Sequence, residues 1–394
     1  MRWICLLALA WMAAGTHVRA AEPIRIGVSG PFTGGSSPMG ISMRDGIRIA
    51  AAEINAAGGL LGRSLLLVER DDEARNERGA QIARELISRE KIVAGVGVVN
   101  TGVALASQRL YQEARIPMVT AVATGSIVTR QFLPPQYPDN FIFRVSASDT
   151  IQASMIVEEA VERRRFRRVA ILADSTNYGQ LGREDLALAL EKKGLRPVAV
   201  GQFNIRDVDM SRQLIAARTA GAEALLTYGI GPELAQIANG AAKLGWTVPI
   251  IGSWPLSMSN FIDSAGPNGE GARMPQTFIQ EPDTPRRRAF IDAYRKLAHS
   301  ERMPSPSAAA QGYDALLLLA AAIRQAGTTH GSRVREALED LREKVEGVIT
   351  TYERPFSRTD HEAFDHPGQV AMGEVRGGRV VRAHEDNTKK KTGK

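Results

Sequence analysis

A doubly wound α/β fold in two lobes is what this sequence predicts, on three observations. Short apolar, β-branched runs alternate with helix-length amphipathic stretches along most of the chain. Nearly every run ends in a polar or glycine-rich loop. The 394 residues also exceed what one hydrophobic core usually supports. Residues 92–124 show the unit. Residues 92–99 form an apolar run ending in Asn100-Thr101-Gly102, after which Val103, Ala106, Leu110 and Ala114 recur at helical spacing with Thr101 at the cap. A second buried strand follows from Pro117. A helix-long crossover between two short apolar strands makes a parallel βαβ unit, and its loops leave one sheet edge side by side, where helix N-termini suit a small carboxylate.

The elements follow in order. Residues 24–29 give a first strand, 30–40 a Gly/Ser-rich loop, and Met43, Ile47, Ala50 and Ile54 the buried stripe of a helix stopped by Gly58-Gly59. Strands at 65–69 and 92–99 flank a helix at 78–89. A strand at 141–145 runs into Ser146-Ala147-Ser148-Asp149-Thr150, where a second βα series begins. It has strands at 169–173, 198–203, 224–228 and 249–252, with helices at 181–193, 210–220 and 232–244. Polar and aromatic residues again sit in the loops at strand ends: Tyr178 in the first, Ser253-Trp254-Pro255 in the last. Helices at 285–298 and 308–326 and a hairpin-like region at 348–356 and 370–381 complete the chain.

Composition narrows the function. Hydrophobic content of 44% and charged content of 24% are those of an ordinary globular protein. The formal charge of +7 suggests a polyanion partner until it is located: Arg2, Arg19, Lys389, Lys390, Lys391 and Lys394 account for most of it. No nucleic-acid partner is expected. Arg2, the apolar run 3–14 and Val18-Arg19-Ala20 describe a cleaved secretory signal, too short to span a bilayer at roughly 20 residues. Cys5 is the one cysteine and lies inside that segment, so the exported chain is expected to carry neither thiol nor disulfide.

Catalytic and cofactor motifs are missing. There is no GxxxxGK[ST] and no GxSxG, and Gly27, Gly30 and Gly34 lack dinucleotide-site spacing. His361 and His366 stand five apart, which would place them on different helix faces, so a surface turn near Pro367 is expected there instead of a zinc site. No metal, no cofactor and no enzymatic activity are expected.

The stretches IRIGVSGPFTG, GIRIAAAEINAAGGLLGRSLLLVERDDEA, the region 95–124 and YGIGPELAQIANGAAKLGW resemble the solute-binding proteins of branched-chain amino-acid ABC importers. The resemblance covers essentially the whole exported chain. It implies the type I periplasmic binding protein fold, two αβ lobes joined by three crossovers around a cleft, in a periplasmic monomer that serves membrane permease subunits. The division it implies is a signal peptide at 1–20, a first lobe of 21–145 and 278–351, a second of 146–277 and 352–384, and a disordered basic tail at 385–394. In leucine-type members a serine and a threonine after the third and fourth strands hold the ligand carboxylate. Thr101 and Thr124 stand at those positions, Val122 and Ala123 would add backbone contacts, and Tyr178 matches a cleft tyrosine of the second lobe.

Two positions depart from the family pattern. Met39 replaces a cleft aromatic, and Trp254 replaces the acid that meets the ligand ammonium, if Gly252 aligns with the glycine before it. An ammonium enclosed without a carboxylate is costly, and the face of a tryptophan suits an unsaturated ring better. An amine-free carboxylate such as an aromatic acid is therefore expected. Branched-chain amino acids stay open as the alternative, with Glu233 as the acid. A detached sensor domain, or an enzyme using the same cleft, are the rival functions.

Overall fold

The computed structural model describes residues 22–384. The signal peptide and the basic tail expected at the two ends lie outside the described residues. Two parallel-stranded sheets form the framework. The first has the order β2-β1-β3-β4-β5 and is parallel throughout, from β1 (Ile24–Gly30), β2 (Leu65–Asp71), β3 (Ala94–Gly97), β4 (Met118–Thr120) and β5 (Ile142–Arg144). Helices α1 (Ser37–Ala56), α2 (Asn76–Ser88) and α3 (Thr101–Ala114) connect its strands.

After β5 the chain crosses through α4 (Asp149–Val157), which continues as a π-helical turn, Glu158–Arg163, into the second sheet. There β6 (Val169–Asp174), β7 (Ala199–Phe203), β8 (Ala224–Tyr228), β9 (Ile250–Gly252) and β10 (Arg273–Gln276) alternate with α5 (Asn177–Glu191), α6 (Ser211–Thr219), α7 (Gly231–Lys243) and α8 (Ser259–Ala265). Strand β10 is absent from the sequence prediction. It contains Pro275, and a proline argues against a strand because it cannot donate to the ladder.

The chain then recrosses to α9 (Pro285–Ala298), α10 (Pro306–Ala326) and α11 (Gly331–Glu339). Helix α10 lies along α1 at very short range. A Cβ added at Gly46 would stand 2.0 Å from the Ala309 carbonyl oxygen, and one at Gly312 would stand 2.3 Å from that of Met43. These glycines let the two backbones touch. Asp314 of α10, fully buried, accepts the backbone N–H groups of Val348 (2.7 Å) and Ile349 (3.0 Å) and the Tyr352 hydroxyl (2.9 Å).

The last stretch corrects the sequence reading. The expected hairpin at 348–356 shrinks to the pair β11 (Val345–Glu346) and β12 (Thr351–Tyr352). The chain was expected to enter the second lobe at Tyr352, yet it stays against the first sheet for another dozen positions. Phe356 packs on Phe143, Arg144 N–H donates to the His361 carbonyl at 2.9 Å, and Ala363 N–H donates to that of Arg144 at 2.9 Å. The third crossing falls after Phe364, and only β13 (Ala371–Arg376) and β14 (Arg379–Arg382) join the second sheet, antiparallel on β10. His361 is no surface residue either. It is 1% exposed and stacks on Phe143 at 4.0 Å, whereas His366 beside Pro367 is exposed.

Candidate functional site

Both sheets turn the carboxyl ends of their parallel strands toward one another, and the loops there form a cleft between the lobes. The lobes touch across its mouth. Asn260 of α8 donates from Nδ2 to the Gly35 carbonyl at 2.9 Å, and a Cβ on Gly102 would stand 2.8 Å from Asn177 Oδ1. One continuous hydrophobic cluster runs through both lobes and includes Met39, Val122, Tyr178 and Trp254.

On the first-lobe side, the N-cap of α3 is Asn100, whose side chain makes no capping bond, and Thr101 is the first helical residue. The Thr101 hydroxyl instead accepts Gly125 N–H at 3.3 Å, and Asn100 Nδ2 donates to Ser36 Oγ at 3.1 Å. Thr101 and Thr124 are thus brought together by neighbouring loops, both almost wholly buried. Val122 and Ala123 are buried beside them, but their N–H groups already donate to the Val98 carbonyl at 3.3 and 3.1 Å. The backbone donors expected from these two residues are engaged inside the lobe.

Arg144, a strand-end arginine that no sequence pattern marks out, organises this loop. It is fully buried, and its Nη1 donates to the carbonyls of Thr124 (3.0 Å) and Gly125 (2.7 Å). Its Nη2 lies 2.7 Å from Glu362 Oε1, which supplies the opposite charge that a buried guanidinium needs. The Thr124 carbonyl also accepts Asp149 N–H at 2.9 Å, so the loop is fixed from two directions.

On the second-lobe side, Tyr178 lies in the first turn of α5 and leans on Tyr228 with ring centroids 4.9 Å apart. The Tyr178 hydroxyl faces that of Ser253, yet neither completes a hydrogen bond, and Thr227 Oγ1 is likewise buried and unpartnered. Burial without a partner costs about 1–3 kcal/mol per group. Gly252 is required here, since a Cβ would fall 2.0 Å from Thr227 Oγ1. Asp174 at the end of β6 uses Oδ1 on Thr176 and leaves Oδ2 unpartnered; burial pushes its carboxyl up to about 6.

Asp149 is the residue the sequence reading passed over. It opens α4 at the first crossing, is fully buried, and accepts the Tyr228 hydroxyl on Oδ1 at 2.7 Å, while Oδ2 has no partner. Burial pushes its carboxyl up to about 7, against the opposing hydrogen bonds from Thr124 and Tyr228. The available signal was Ser148-Asp149 at a helix start, which reads as capping; indeed Ser148 Oγ accepts Ile151 N–H at 3.4 Å.

Trp254 lies at the hinge. Its N–H donates to Gln152 Oε1 at 3.2 Å and its carbonyl accepts Gln276 Nε2 at 3.1 Å, from the first and second crossings. Together with Thr124, Ala147 and Gln311 it lines a small cavity. Met39, in the first turn of α1, is buried at 2% exposure in the shared cluster. Glu233 in the first turn of α7 accepts Arg206 N–H at 2.7 Å and so steadies a neighbouring loop. Among the described residues no His, Cys, Asp and Glu side chains gather as a metal site, and no helix is long and apolar enough to cross a membrane.

Two parallel αβ lobes, three crossings and a polar cleft at the strand ends define a protein that clasps a small solute. The chain belongs to the periplasmic binding protein family, which it matches over residues 23–379. It is 25% identical over 365 residues to the leucine-, isoleucine-, valine-, threonine- and alanine-binding protein of Pseudomonas aeruginosa, covering 92% of this chain and 91% of that one. Among solved structures it is similar to a leucine-binding protein of Thermotoga maritima (TM-score 0.79, 24% identity, 92% of this chain and 98% of that one). It is also similar to a solute-binding protein of Rhodopseudomonas palustris in complex with 4-hydroxybenzoate (TM-score 0.78, 19% identity, 92% and 96%). At those identities the two structures speak for the fold. The family is one of extracytoplasmic binding proteins of the ABC-transporter type, not of enzymes.

Proposed function

We propose that this protein captures an α-amino acid in the cleft by hinge closure, as a monomer released from its signal peptide, and hands it to the permease subunits of an ABC importer. The observation that carries the reading is the free Oδ2 of Asp149, buried between Thr124 and Tyr228. A buried carboxylate with one vacant oxygen supports an ammonium partner, because an ion pair offsets the cost of burying both charges. Thr101 and Thr124 are the hydroxyls for the ligand carboxylate, and Tyr178, Met39, Val122 and Trp254 supply apolar walls. Asp149 removes the reason for preferring an amine-free acid, which was the absence of any acid in the Trp254 loop. The relative from Pseudomonas aeruginosa, named for aliphatic amino acids, points the same way.

A thermal-shift panel tests this. Leucine, isoleucine, valine and alanine are compared with benzoate- and cinnamate-type acids, and each is recovered afterwards to check that it is chemically unchanged. Stabilisation by amino acids alone is expected. Stabilisation by the aromatic acids alone would refute the role of Asp149, and turnover of any of them would refute the binding function.

A further inference from the structure

Strands β6, β7, β8 and β9 are parallel and in step, with Val169 beside Ala224, Ala170 beside Ala199 and Leu225 beside Ile250. Everything that precedes these strands is therefore gathered along one sheet edge, at the pole of the second lobe opposite Tyr178, Tyr228 and Trp254. What precedes them is basic. Residues 163–168 read Arg-Arg-Arg-Phe-Arg-Arg; four of the arginines are exposed, and Arg164 lies over the Phe166 ring at 5.3 Å. Lys192, Lys193 and Arg196 stand ahead of β7, Arg218 ahead of β8 and Lys243 ahead of β9, all exposed.

The solvent-facing acids on this pole are Glu158, Glu162, Glu191 and Glu223, with Glu270 at the neighbouring turn before β10, and all but Glu191 are already engaged, Glu270 by the N–H groups of Gly377 and Gly378. Glu162 pairs with Lys193, Glu158 lies 3.5 Å from Arg163, and Glu223 accepts the backbone N–H groups of Arg167 and Arg168 at 2.7 and 3.0 Å. Among the described residues Arg165, Arg167, Lys192 and Arg196 have no carboxylate partner, and Lys243 feels only the exposed Asp209. Helix C-termini also end here and favour cations, but one or two would answer a helix end. Arg165 itself adopts a left-handed conformation, φ 64°, in the turn that leads into β6.

We propose that this pole is a docking surface for a membrane face rich in anionic phospholipid headgroups. The cations come from four segments, loops and last helical turns, spread along a sheet edge, which makes a broad face in place of a groove and suits a plane of phosphates better than a duplex. Half-buried Phe166 and Trp246 lie between the cations, the pairing of aromatic rings and basic side chains that suits a membrane interface. The assignment is independent of what the cleft binds.

The test is sedimentation of the full exported chain with vesicles of phosphatidylcholine, alone or with phosphatidylglycerol. Binding to the anionic vesicles only, lost in about 0.5 M salt as screening predicts, is expected. Arg165→Glu together with Arg167→Glu should weaken it at least tenfold while leaving the melting temperature unchanged, because neither side chain has a carboxylate partner to lose. The lysines at 389–391 and 394 are present in both proteins, so the comparison isolates the pole. Equal binding by the variant, no preference for the anionic vesicles, or tighter retention by double-stranded DNA would each overturn the proposal.

Discussion

The two halves of the cleft are finished to different degrees. On the first-lobe side the Thr124 and Gly125 carbonyls, the Thr101 hydroxyl and the N–H groups of Val122 and Ala123 all have partners inside the lobe, and the vacant atoms lie behind or beside them, on Asn100 Oδ1, Gln311 Oε1 and the Nε of Arg144, whose Nη2 is ion-paired with Glu362. On the second-lobe side Tyr178, Ser253, Thr227 and Asp174 each keep a buried polar atom without one, as does Asp149 between the lobes. A half that is complete by itself is built ahead of its ligand; a half with vacant groups is completed by one. Closure is then favoured by contacts that only the liganded, closed state makes.

The sharpest way to break this contrast is at Arg144. Arg144→Met would leave the Thr124 and Gly125 carbonyls without a donor and the largely buried Glu362 with only the Thr129 hydroxyl and the more distant Arg130, and should cost about 3 kcal/mol of stability, measured by urea unfolding. A loss under about 1 kcal/mol would mean that the first half is not prebuilt. Next comes Asp149→Asn, which should weaken leucine binding by about 1.5–3 kcal/mol in calorimetry, the contribution of a hydrogen bond to a charged group.

The same group sets a pH dependence. Because burial raises Asp149 to about 7, it is protonated below that pH and ionised above it, so affinity for an ammonium should rise between pH 5 and 8 in the native protein and stay flat in the Asn variant. A native profile as flat as the variant's would place the ammonium elsewhere. Stability without ligand should run the opposite way. Asp72 and Asp149 rise to about 7, and Asp174 and Asp314 to about 6, so the stability they contribute is full below about pH 4 and lost as pH climbs through 6 to 7.

Smaller effects sharpen the picture. Thr124→Val should cost about 1.5 kcal/mol of ligand affinity with only a small change in melting temperature, since the carbonyl still holds the loop and the hydroxyl's one contact inside the protein is with Asp149. Asn260→Ala removes one exposed bond across the cleft mouth and should weaken binding by about 0.5 kcal/mol. An effect as large as that of Asp149→Asn would shift the weight of closure to the rim.

Element type was legible wherever periodicity was strong, as in α1, α9 and α10, and so were the loops that carry Thr101, Thr124 and Tyr178. What was hidden shares one physical cause: it depends on partners distant in the chain. Arg144 is an ordinary basic residue until Glu362, far along the sequence, reaches it. Asp149 reads as a helix-start acid until Tyr228 and Thr124 enclose it. The basic pole vanished into the whole-chain charge, because its cations come from four separate segments. The stretch beyond Tyr352 was hidden for the same reason, since Asp314 holds Tyr352 itself and Phe143 holds Phe356 and His361 after it.

That last contact has a mechanical consequence. Since residues 352–364 ride with the first sheet, the third joint between the lobes has only the stretch from Asp365 to Val370 in which to bend, and it begins three residues beyond the carboxylate paired with Arg144. The first joint is equally short, from Val145 to Ser148 between β5 and α4. Straps this brief give little slack for sliding or twisting. They favour rotation over sliding, and they attach the third joint, through the Glu362 contacts with Arg144 and Thr129, to the loop that carries Thr124.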